Sequence, residues 1–99
     1  MSQIIDSVCP LCQSEAKCEE HIMRRLKHFI CAVCNEFVIK NKAERHLVKS
    51  APQTRQKFSD YCAKATSGDV TLLSFEPNGV GGAPTVLAEY LPLQKALAR

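Results

Sequence analysis

The sequence predicts an α+β fold: a small antiparallel β-hairpin held by two cysteine turns, then two short helices, a strand and a C-terminal helical tail. Three observations carry this. Two C-x2-C turns, Cys9-Pro10-Leu11-Cys12 and Cys31-Ala32-Val33-Cys34, stand 18 residues apart, room for two short strands and a turn. Pro52 divides two stretches of helical spacing, and a Ser67-Gly68 break precedes the β-branched, apolar run from Val70 to Phe75. The 99 residues suffice for one folded unit, with residues 1–40 forming the hairpin portion and residues 41–99 an extension packed on it.

A piece of about 40 residues cannot build an adequate core alone and needs a metal, disulfides or a partner. Six cysteines are present for either staple. The amino terminus, MSQIIDSV, has neither the positive region nor the long apolar region of a secretory signal. No apolar run approaches the roughly 18 residues that span a bilayer. The expectation is a soluble, cytoplasmic chain with no membrane partner. In that reducing setting paired cysteines are metal ligands more often than disulfides.

A C-x2-C turn aims two thiolates at one point and turns backbone N–H groups toward the sulfurs, which offsets their charge. Two such turns at the ends of an antiparallel hairpin give four sulfurs in a tetrahedron, the ligand set of a structural zinc ion. Cys9, Cys12, Cys31 and Cys34 are therefore the expected ligands, with one Zn2+ as the expected cofactor. Iron would suit the same cage. A competing C-x2-H unit, Cys18-Glu19-Glu20-His21, lies inside the loop. It stays open as a replacement for one pair, or as part of a second site with His28 or His46. Four thiolates leave no coordination position for water, and neither an H-E-x-x-H helix nor a deaminase-type H-x-E…P-C-x-x-C occurs. The expected metal is structural and the protein is not expected to be an enzyme. Cys62 with His46 is the one Cys/His pair to check.

Cys9, Pro10, Cys12, Cys31 and Cys34, with the strand-like Phe37-Val38-Ile39 after them, resemble the zinc-ribbon families with rubredoxin-like knuckles. More loosely, the chain resembles small bacterial proteins of unassigned function that begin with such a ribbon. The resemblance covers about residues 7–40. It implies a ribbon fold serving either nucleic-acid binding or protein interaction. Those ribbons usually carry Gly directly after the second cysteine of each knuckle, where this chain has Gln13 and Asn35. Asn tolerates the left-handed conformation fairly well, Gln less so.

After the knuckles, Glu36-Phe37-Val38-Ile39-Lys40 reads as a departing strand. Asn41 with Glu44 reads as a capping pair opening a helix over about residues 42–49. Lys42, Arg45 and Lys49 share one side of it with His46 beside them, and Ala43 and Leu47 turn toward the ribbon. A second helix over about residues 53–66 has Phe58, Tyr61, Cys62 and Ala65 as its core stripe, making Cys62 a buried small hydrophobe. Ser67-Gly68 ends it. Glu76–Pro84 is a glycine-rich connection without the pattern of a phosphate cradle. The tail from Thr85 reads as helical, interrupted near Pro92, with Leu87, Leu91, Leu93 and Leu97 as contact surface.

The net charge of +3 says little, but its distribution says more. Residues 21–57 hold nine Lys/Arg against two acids, a local balance of +7. Arg24, Arg25, Lys27, Lys40, Lys42, Arg45 and Lys49 are thus candidate contacts to the phosphates of DNA or RNA. Phe29 and Phe37 are candidates for base stacking or for the ribbon's small core. The two short helices invite a helix-turn-helix reading, but VKSAPQT matches its tight turn poorly. The expected function is a non-catalytic, metal-stabilised module that binds nucleic acid or regulates through a basic face. The alternative is a protein-interaction adaptor using the ribbon edge and the leucine-bearing tail.

Overall fold

The structure, a computed structural model, describes residues 4–66 and 68–98, the side chain of Val80 excepted. Six strands form one sheet in chain order: β1 (Ile4–Val8), β2 (Glu15–His21), β3 (Leu26–Cys31), β4 (Asn35–Lys40), β5 (Asp69–Glu76) and β6 (Thr85–Pro92). Neighbours are antiparallel except β4 and β5, which run parallel. A parallel pair needs a long crossover. Here it is α1 (Asn41–Val48) and α2 (Pro52–Ala63), while α3 (Leu93–Ala98) follows β6. The α+β class is as the sequence predicts.

The register sorts side chains onto two faces. Cys18, Phe29, Phe37 and Thr71 stand in one row across β2 to β5, with Ile39 and Leu73 in the next. This face is covered by Ala43 and Leu47 from α1 and by Cys62 and the partly buried Phe58 from α2. On the opposite face Leu26, Val38, Val70 and Leu72 are covered by Ala96, Leu93 and Leu97 of α3. The central strands are thus buried on both sides, which is why Phe37-Val38-Ile39 and Thr71-Leu72-Leu73 read as unbroken runs. β1 lies at the sheet edge and leaves Ile4, Ile5 and Val8 half exposed or more.

Several expectations are corrected. The first half of the tail is not helical but strand β6, paired along its length with β5. Alternation decides this: Val86 and Ala88 pack on the face covered by α1 and α2, and Leu91 on the face covered by α3. Gly79 sits in the connecting loop with its N–H on the Ala83 carbonyl at 2.9 Å. A Cβ there would meet Thr85 Cγ2 at 2.5 Å, so the hairpin requires glycine. The Asn41–Glu44 capping pair does not form. The backbone N–H of Asn41 is taken by the Arg25 carbonyl at 2.9 Å, and Glu44 turns to Lys27 Nζ at 3.0 Å. Helix α2 ends at Ala63, before the expected stop. Ser67 lies outside the described residues, and Gly68, at φ +92°, leads into β5. In the α2 stripe Ser59 is buried where Tyr61 is only partly so, because the Tyr61 ring stacks on Tyr90 at 4.3 Å.

The meander gives the sheet two unlike ends. One end carries both cysteine turns. The other carries the 3-10 turn Ile22–Arg24 between β2 and β3, the end of β4 at Lys40, and the start of α1.

Candidate metal centre

The first cysteine turn joins β1 to β2 and the second joins β3 to β4. The three antiparallel pairings between these strands bring the turns together. Sγ atoms of Cys9, Cys12, Cys31 and Cys34 all lie within 4.8 Å of one another. The closest cross-turn pairs are Cys12–Cys31 at 3.5 Å and Cys9–Cys34 at 3.8 Å. A tetrahedron with metal–sulfur bonds of about 2.3 Å has sulfur–sulfur edges of about 3.8 Å. A disulfide needs about 2.0 Å, and all six cysteines are free thiols. The donor set, its spacing and its burial fit a four-thiolate metal cage with no position left for a fifth ligand.

The turns have the local geometry such a cage needs. Gln13 and Asn35, directly after the second cysteine of each turn, both adopt the left-handed conformation, at φ 63° and 62°. A glycine usual at such a position is therefore replaced in sequence but not in backbone shape. The Gln13 N–H donates to the Cys9 carbonyl at 2.9 Å, and the Cys34 N–H donates to Cys31 Sγ at 3.4 Å. Without metal, Cys9 is held down at about 5, first by the neighbouring Cys34 thiol and then by backbone N–H groups of Cys12 and Leu11. Cys34 is pushed up by the same contact and by burial. Burial also pushes Cys31 up. A divalent cation held by these four sulfurs would take the place of thiol protons and relieve the crowding of four thiols at one point.

Helix α2 completes the enclosure, a feature sequence reasoning missed. The Ser59 hydroxyl, itself buried, lies 3.0 Å from Cys34 Sγ, and Asn35 Nδ2 donates to the Ala63 carbonyl at 2.9 Å. Ser59 follows Phe58 in an otherwise polar stretch, and no spacing rule links it to a cysteine 25 residues earlier. With a metal bound, its O–H donates to the Cys34 thiolate and offsets part of the cage's negative charge. Ser59→Ala is expected to weaken metal binding about 10–100-fold while leaving the fold intact. Competition with a chromophoric chelator measures this; unchanged affinity would remove Ser59 from the site.

The competing ligands are elsewhere. Cys18 is buried in the core row beside Phe29, where burial pushes its thiol up. His21 pairs with Glu19 at 2.7 Å and His28 with Glu36 at 3.1 Å, on the face away from the cage. The His46 ring tilts against Phe75, centroids 5.5 Å apart. Cys62 is fully buried, its thiol pushed up to about 12 by burial, and it does not form a dyad with His46. Among the described residues no other group of His, Cys, Asp or Glu converges on a metal-sized point.

The candidate phosphate contacts are only partly brought together. Lys27 is taken by Glu44. Arg24 reaches across to the Leu97 carbonyl at 2.5 Å, and Lys40 is half-buried beside it. Arg25 is exposed at the β2–β3 turn. Lys42, Arg45 and Lys49 line one shallow hollow with His46 and Phe75. Phe29 and Phe37 are core, not stacking faces: they are 1% and 0% exposed and stack on each other at 5.2 Å.

Compared with protein-family models, curated proteins and solved structures, the chain matches none. No helix of the described residues is long and apolar enough to cross a membrane. The site itself therefore has to carry the functional reading.

Proposed function

We propose that the chain is a non-catalytic module of the zinc-ribbon type, stabilised by one structural Zn2+, that binds nucleic acid through phosphate contacts at its basic end inside the cell. Zinc suits the cage because it accepts four thiolates without redox chemistry and without preference beyond tetrahedral geometry. Metal analysis of the purified protein tests this, since an iron-loaded cage would be strongly coloured and a zinc-loaded one colourless.

The observation that carries the nucleic-acid reading is the outer face of α1. Lys42 and Arg45 are exposed there and Lys49 follows at the helix's C-cap, and no carboxylate pairs with them among the described residues. A row of unpaired cations on a rigid helix suits a chain of phosphates. In fluorescence anisotropy against generic DNA and RNA, binding is expected to weaken steeply with salt. Lys42→Ala/Arg45→Ala/Lys49→Ala is expected to flatten the salt slope by about 2 to 3, at roughly 0.9 per duplex phosphate contact. Absence of binding at low salt would sink this reading.

The protein-interaction alternative is favoured by a different observation, the exposed Ile4, Ile5 and Val8 on edge strand β1. The leucine-bearing tail no longer supports it in full, because Leu91, Leu93 and Leu97 are used in the chain's own core.

A further inference from the structure

Met23 and Ile22, at 94% and 76%, are the most exposed large hydrophobic side chains among the described residues. They are adjacent, and they stand on the 3-10 turn at the end of the sheet away from the cysteines. Scattered apolar side chains on a surface are ordinary. A pair of them on a braced tip is not. The turn closes with the Arg25 N–H on the Ile22 carbonyl at 3.2 Å, and Arg25 itself is left-handed, at φ 55°. The Arg25 carbonyl is tied to the first N–H of α1, and the Arg24 guanidinium to the Leu97 carbonyl of α3. Two helices thus hold this tip, and the tip holds Ile22 and Met23 out in water.

The surroundings of the pair are positive. Arg24 and Arg25 follow it in sequence, and Lys40 pairs with Leu26 across the sheet and feels the charge of Arg24. From there α1 begins, carrying Lys42, Arg45 and Lys49 away from the tip. Of the carboxylates toward this end of the sheet, Glu20 and Glu44 act on Lys27 and Glu19 pairs with His21. The cations therefore lead away from the apolar pair in a row.

We propose that Ile22 and Met23 form a wedge that enters a base step of a nucleic acid whose phosphates lie on Arg25 and the α1 row. This rests on the phosphate-binding reading and adds the contact that reads deformability. Burying two such side chains is comparable to the cost of unstacking one base step. Insertion then succeeds only where the step is already weak, at a pyrimidine–purine step or beside a bulge. A lipid surface would be better served by cations ringed around the apolar pair at one depth than by a row along a helix.

The test uses the full-length, metal-loaded protein and a duplex with 2-aminopurine at a central TpA step. The wild type is expected to raise the fluorescence of the probe. Ile22→Ser/Met23→Ser, which alters only exposed side chains, is expected to bind about tenfold more weakly with an unchanged salt slope and no fluorescence rise. Equal affinity and equal fluorescence in the two proteins would overturn the wedge and leave the phosphate-binding reading standing. Absence of salt-dependent binding by the wild type would overturn both. Sedimentation with phosphatidylglycerol vesicles that depends on Ile22 and Met23, with the duplex left stacked, would assign the tip to a lipid surface and overturn the wedge.

Discussion

Cys34→Ser is expected to unfold the whole chain, not the hairpin alone. Four-thiolate sites contribute about 10–16 kcal/mol of apparent binding free energy at neutral pH. A domain of this size has a net stability of about 5–15 kcal/mol, so loss of the cage removes all or nearly all of it. Cys34 is fully buried and joins three parts of the molecule. Its sulfur faces Cys9 of the first turn, its N–H holds Cys31, and Ser59 of α2 rests on it. Circular dichroism and metal analysis of the variant are expected to show a metal-free, largely unfolded chain. Cys18→Ser, equally buried but outside the cage, is expected to keep its metal and melt as one cooperative unit. Acid acts in the same direction as the substitution, because protons compete with the metal for sulfur; metal-derived stability is present at neutral pH and lost as pH falls. A metal-free Cys34→Ser protein with native circular dichroism would show that the cage is dispensable.

Phe37→Ala is expected to cost about 3–5 kcal/mol in the metal-loaded protein. Phe37 is fully buried on β4, with Phe29 stacked beside it and the parallel strand β5 on its other side. A void there opens at the junction between the antiparallel half of the sheet and the rest. Thermal melts are expected to shift down by at least roughly 12 °C, given about 4–8 °C per kcal/mol for domains of up to 100 residues. A variant that melts like the wild type would contradict the central packing of this ring and restore it as a candidate binding face.

The clustering of Cys9, Cys12, Cys31 and Cys34 was legible because C-x2-C encodes a local turn, and two turns at hairpin spacing leave few ways to arrange four sulfurs. β4 and β5 were legible from their composition. What stayed hidden is non-local. The tail was misread because Leu87 with Leu91, and Leu93 with Leu97, are each four residues apart, while pairing with β5 made a strand of its first half. Asn41 and Glu44 fit a capping pattern, but the Arg25 carbonyl and Lys27, close only after folding, claimed both partners. Ser59 became part of the metal site only because α2 returns over the second turn. The basic residues are close in sequence, but folding paired Lys27 with Glu44 and gave Arg24 a structural bond, leaving Arg25 and the α1 row open to solvent.

The parallel pairing of β4 with β5 has a consequence for the growing chain. β1 to β4 pair only with sequence neighbours, so they can assemble as soon as residue 40 has left the ribosome. β4 then waits with a bare edge until Thr71, Leu72 and Leu73 have been made. During that interval Phe37, Val38 and Ile39 lack both their strand partner and their helical cover, the kind of surface that draws neighbouring chains into misassembly. A metal ion captured early fixes the meander in register during the wait. In a growing cell, supply of the metal that fills the proposed cage would then set the yield of folded protein as well as its lifetime.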